Sequence, residues 1–73
     1  MNKKLLRSHM VLHDDNNIIL AAALGITPQS FSAKVNETNG SEFTQSEMNT
    51  IRIRYKLSDA EFINIFFADL VSN

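Results

Sequence analysis

The sequence predicts an all-α domain, a compact bundle of five short helices. Two observations carry this. Apolar residues recur at helical spacing, and no stretch alternates with the period of two that a strand requires. Three segments also repeat one helix-start pattern: an apolar residue, a Thr or Ser cap, a few polar or small residues, then another apolar residue. A chain of 73 residues has room for one domain, 1–73.

The first helix is expected near residues 2–13, where Leu6, Met10 and His13 follow i, i+4, i+7 spacing. The second, near 16–24, starts from Asp15 or Asn16 as cap. It runs through Leu20-Ala21-Ala22-Ala23-Leu24 and stops at Gly25, a glycine placed just past the helix end. The third, near 28–36, has Thr27 as cap and Pro28 at the first helical position, where the missing N–H costs nothing. Ile26 and Phe31 staple its entry. Asn39-Gly40 reads as a turn. The fourth helix, near 45–55, carries a capping box of Thr44 and Glu47 with Phe43 and Met48 as staple. The fifth, near 59–71, repeats the device with Ser58, Glu61, Leu57 and Phe62. The expected core is Leu6, Met10, Leu20, Ala21, Leu24, Ile26, Phe31, Val35, Phe43, Met48, Ile51, Leu57, Phe62 and Phe66.

Composition excludes several kinds of chemistry. Without cysteine there are no disulfides, no thiolate metal sites and no thiol catalysis. The net charge of −1 is not the basic footprint of a strong nucleic-acid binder. No stretch approaches a membrane span. The basic start, Met1 to Lys4, is followed by Arg7, His9, His13 and Asp14 rather than by an apolar run, so export is not expected and the cytoplasm is. His9 and His13 stand at i, i+4, but no carboxylate lies in phase to complete a metal site. Asp14 and Asp15 read as an acidic turn at a helix start. Arg52, Arg54 and Lys56 read as a solvated basic face with Tyr55 packed inward. No nucleophile–base pair, phosphate loop or carboxylate pair is present, so neither an enzyme nor a cofactor is expected.

The segment 16–36 is where function is expected. An alanine-rich helix, a three-residue turn Gly25-Ile26-Thr27 and a new helix are the ingredients of a helix-turn-helix. Ala21 and Ser32 are small enough for a close crossing, and an apolar residue is buried in the turn. The second helix of the pair is expected to present Gln29, Ser30, Ala33 and Lys34 outward.

Leu20-Ala21-Ala22-Ala23-Leu24-Gly25-Ile26-Thr27 resembles helix 2 and the turn of Cro/CI-type phage repressors, and Gln29 to Asn36 resembles their recognition helix. Ser41-Glu42-Phe43-Thr44 and Ile65-Phe66-Phe67 resemble later parts of small regulators of this kind. The resemblance implies a lambda repressor-like domain with a part in the lysis–lysogeny switch of a temperate phage, inside the bacterial host. It implies DNA contact through Asn17, Gln29, Ser30, Lys34 and Asn36. Two positions depart from the family pattern. Pro28 stands where a base-reading glutamine is common, and Ala33 where arginine is common, so Lys34 is the only cation on this helix.

Apolar residues also exceed what one core stripe needs. Val11, Leu12, Ile18 and Ile19 crowd the junction of the first two helices, and Ile63, Phe67, Leu70 and Val71 form a second stripe on the fifth. The family commonly has polar residues where Leu12, Ile18 and Ile19 stand here. The chain is therefore similar to a modulator of repression, an antirepressor whose partner is the cognate CI-type repressor. The expected protein interface is Leu12, Ile18 and Ile19 with Gln29 and Lys34 at its edge. The alternative is a Cro-like homodimer that binds operator DNA directly through helix 28–36.

Overall fold

Five α-helices, and no strand among the described residues, make up the computed structural model, which describes residues 1–70. Asn2 opens α1 (Lys3–Leu12), its side chain accepting from the Leu5 N–H. Asn16 rather than Asp15 caps α2 (Asn17–Leu24). Gly25 ends α2 with φ 74°, a left-handed conformation that glycine adopts without steric cost. Thr27 caps α3 (Pro28–Asn36), with Pro28 in its first turn. A single 3₁₀ turn (Thr38–Gly40) follows. Both expected capping boxes form, Thr44 with Glu47 at the start of α4 (Gln45–Tyr55) and Ser58 with Glu61 at the start of α5 (Asp59–Phe66).

The fifth helix is shorter than its apolar pattern predicts. It ends at Phe66 because Phe67 leaves the helical region (φ −123°, ψ 33°), and the chain tightens into a 3₁₀ turn, Ala68–Leu70. No glycine, proline or polar cap marks that break. Val71 lies outside the described residues.

α2 and α3 meet at 98° across Gly25-Ile26-Thr27 and pack closely. Ala21, fully buried, lets them approach. α1 lies against α5, and the Asn2 N–H donates to the Ile65 carbonyl at 2.7 Å. The core holds Leu6, Met10, Leu20, Ala21, Phe31, Val35, Phe43, Ile51, Tyr55, Leu57 and Ile65. Phe31, Phe43 and Phe66 form a chain of edge contacts, with centroids 5.7 and 6.0 Å apart. Leu24, Ile26, Met48, Phe62 and Phe66, expected inside, pack against this core but stay half-buried. In a domain 34 × 28 × 20 Å across, side chains at the helix ends cannot be covered on every side. No single helix among the described residues is long and apolar enough to cross a membrane.

Candidate interaction surface

The first turn of α3 stands free. Gln29 and Ser30 are exposed, and only the Ser30 backbone N–H is engaged, by the Thr27 hydroxyl. One turn later the helix face changes. Lys34, expected to point outward, is half-buried, and its Nζ donates to both carboxylate oxygens of Glu47 at 2.7 and 2.8 Å. The side chains are 19% and 11% exposed. Burial pushes the Glu47 carboxyl up, but the Lys34 and Thr44 hydrogen bonds outweigh it and hold the group below its ordinary value. One carboxylate thus closes the capping box of α4 and neutralises the only cation of α3. Ala33 is half-buried as well. Asn36 is also taken up: its Nδ2 donates to the Ser32 carbonyl at 3.0 Å, and its Oδ1 accepts from Lys3 at 3.1 Å. Of the residues expected to touch DNA, Gln29, Ser30 and Asn17 are exposed, Asn36 is exposed but hydrogen-bonded to Ser32 and Lys3, and Lys34 is half-buried and bound to Glu47.

Of the expected basic face, Lys56 is exposed, while Arg52 and Arg54 are ion-paired and still reach solvent. Arg54 Nε and Nη2 donate to the two Asp15 oxygens, both at 2.8 Å, and the Tyr55 hydroxyl donates to the same carboxylate at 2.6 Å. The Asp15 side chain is only 4% exposed. The Arg54 hydrogen bonds hold its carboxyl below the ordinary range against the opposing effect of burial, and burial with the Asp15 bond pushes the Tyr55 phenol up. Arg52 pairs with Asp59 and lies over the Phe62 ring. His13 stacks on Tyr55, with ring centroids 4.7 Å apart, while His9 approaches Glu61 at 4.0 Å. Neither histidine belongs to a metal-competent cluster among the described residues. The network Asp15–Arg54–Tyr55 was not legible in the sequence, because its members are 39 and 40 residues apart. It pins the α1–α2 junction to the end of α4.

That junction carries four of the eight large hydrophobic side chains exposed among the described residues. Leu12 is 74% exposed, Ile18 67% and Ile19 43%, with Val11 as open as Leu12. Val11 and Ile18 line one groove, about 460 Å³ in volume, together with Arg7, Met10, Asp15, Asn16 and Asn17. Arg7 is a member of this site that the sequence reading missed. Its position one turn before Val11 on α1 was the available signal. Comparison with protein-family models, curated proteins and solved structures finds no match. Function therefore has to be read from this geometry. Outside the junction, Ile53 on α4 and Ile63, Phe67 and Leu70 of the expected second stripe are exposed as well.

Proposed function

We propose that this chain is a small helix-turn-helix regulator of a temperate-phage switch that acts by binding a CI-type repressor, as a modulator of repression. The observation that carries the reading is the exposed apolar junction of α1 and α2, with Leu12, Ile18 and Ile19 open to solvent. A small domain gains nothing from holding such residues in water, whereas a protein interface desolvates them favourably. The state of α3 supports the same reading. A helix that binds DNA tightly on its own draws most of its affinity from phosphate contacts, and here the single cation is bound to Glu47.

The second reading, a Cro-like homodimer on operator DNA, is favoured by one observation. Gln29 and Ser30 stand exposed in the first turn of α3, where a glutamine amide is suited to adenine. One experiment separates the two. Calorimetric titration into the N-terminal domain of the repressor should give a discrete complex. Ile18→Asp and Ile19→Asp should each weaken it at least tenfold, since burying an isoleucine is worth roughly 1.5–3 kcal/mol. Wild-type affinity in both variants rejects this face. If no complex forms, and a homodimer shifts an operator in a manner that depends on Gln29, the direct DNA reader replaces the modulator.

A further inference from the structure

The groove at the α1–α2 junction is apolar, but its charge is not balanced. Arg7 lines it, is exposed, and makes no hydrogen bond or ion pair among the described residues. Lys4 stands three positions earlier on α1, exposed and equally unpaired. The one carboxylate lining the groove, Asp15, is already neutralised by Arg54 and Tyr55. The site therefore offers apolar side chains, Val11 and Ile18, beside an uncompensated guanidinium. We propose that the groove receives a large apolar side chain of a protein partner, with an aspartate or glutamate of that partner paired to Arg7. The inference rests on the reading of the chain as a repressor-binding protein and specifies the chemistry of the contact.

Charge complementarity selects this occupant over two others. A second copy docked through the same groove about a two-fold axis would bring two copies of Arg7 into one interface with no free lining carboxylate for either, because Asp15 is already held by Arg54 and Tyr55. A nucleic acid would satisfy Arg7 and Lys4 with phosphate but leave Val11 and Ile18 facing a polyanion, with no apolar surface to cover them. A carboxylate beside an apolar side chain satisfies both halves of the groove, and a guanidinium binds a carboxylate with two parallel hydrogen bonds.

The test uses the full chain, isotope-labelled for NMR, and two capped synthetic helical peptides. One carries leucine and glutamate on one face; the other has lysine in place of the glutamate. The leucine–glutamate peptide is expected to shift the amide signals of Arg7, Val11 and Ile18 and to bind at least fivefold more tightly than the lysine version. Val11→Asp and Ile18→Asp should each weaken it about tenfold. Arg7→Glu should reverse the preference between the peptides, which a merely structural arginine would not do. All three positions are exposed, and circular dichroism checks that each variant folds. The charge arm is repeated with Arg7→Gln, which should abolish the preference without reversing it. Equal affinity for the two peptides, shifts confined to other residues, or no shift with either peptide overturns the proposal. So does a concentration-dependent dimer through the same residues, or a short DNA duplex that perturbs them more tightly than the peptide. A chain that discriminates the peptides through Arg7 yet ignores the repressor domain rejects the repressor reading and keeps the groove. A repressor complex untouched by Arg7→Glu and Val11→Asp keeps the repressor reading and rejects the groove.

Discussion

Asp15 shows how one residue acquires a structural task that its neighbours in sequence do not disclose. It lies beside a helix start, yet Asn16 takes the cap and Asp15 turns inward to meet Arg54 and Tyr55. Replacing it by asparagine removes the charge and leaves a single amide oxygen where three donors from Arg54 and Tyr55 converged, with an NH2 facing the donors of the lost oxygen. Asp15→Asn is expected to cost about 1–3 kcal/mol, scaled down from a fully buried pair because Arg54 reaches solvent. Urea denaturation of the variant checks this, and an unchanged midpoint would show that the network adds nothing. The pH dependence follows from the same group. Asp15 and Glu47 both titrate below their ordinary values of 3.8 and 4.5. The unfolded chain therefore binds protons first as the pH falls. The stability they contribute is complete above about pH 4.5 and is lost on acidification through their folded-state values. Tyr55 is shifted the other way, above its ordinary 10.0, so its contribution is complete below pH 10.0 and declines as the pH rises further. Asp15→Asn should flatten the acid limb of a stability–pH curve relative to the wild type.

At the scale of the element, α3 is positioned by a glycine at one end and an ion pair at the other. Gly25 holds φ 74°, and a Cβ there would meet no atom within 4 Å. Gly25→Ala is therefore opposed by backbone strain alone and should cost about 1 kcal/mol. A larger loss would mean that the α2–α3 angle itself had shifted. The Lys34–Glu47 pair fixes α3 to the start of α4. Lys34→Ala should cost about 1–2 kcal/mol of stability, because Glu47 would be left half-buried with only the Thr44 N–H. In a double-mutant cycle with Glu47→Gln, most of that loss should appear as coupling between the two sites. If DNA binding occurs at all, its salt dependence should be the same in Lys34→Ala as in the wild type, since this cation is already neutralised. A shallower slope would show that Lys34 leaves Glu47 for phosphate.

At the scale of the molecule, a small core carries the fold, and the junction of α1 and α2 carries half of the large apolar side chains exposed among the described residues. Phe31 is 1% exposed and links Phe43 to the α2–α3 crossing. Phe31→Ala should cost roughly 3–5 kcal/mol, enough to unfold a marginal domain of this size, and an unchanged melting temperature would remove Phe31 from the centre. Ile18→Asp should leave the melting temperature close to wild type, because Ile18 is exposed and outside the core. The contrast matters for function. A residue whose replacement by a charged one disturbs binding but not stability belongs to an interface and not to the scaffold.

The local parts of this fold were legible in the sequence, because their causes are local. Caps at Thr27, Thr44 and Ser58, the stop at Gly25 and the proline start of α3 each depend on residues within one helical turn, and all formed as read. The surplus of Leu12, Ile18 and Ile19 was legible too, since one helix stripe can bury only so many side chains. Tertiary structure decided how each charge is used. Lys34 and Asn36 looked like free polar groups until α4 and α1 brought Glu47 and Lys3 within hydrogen-bond distance. Asp15 and Arg54 meet only once the chain between them has folded, and Arg7 remains uncompensated for want of a similar encounter. Helical periodicity specifies which face a side chain takes on its own helix. Which opposite charge stands across from it depends on how separate helices cross, and that is settled by packing of the whole core.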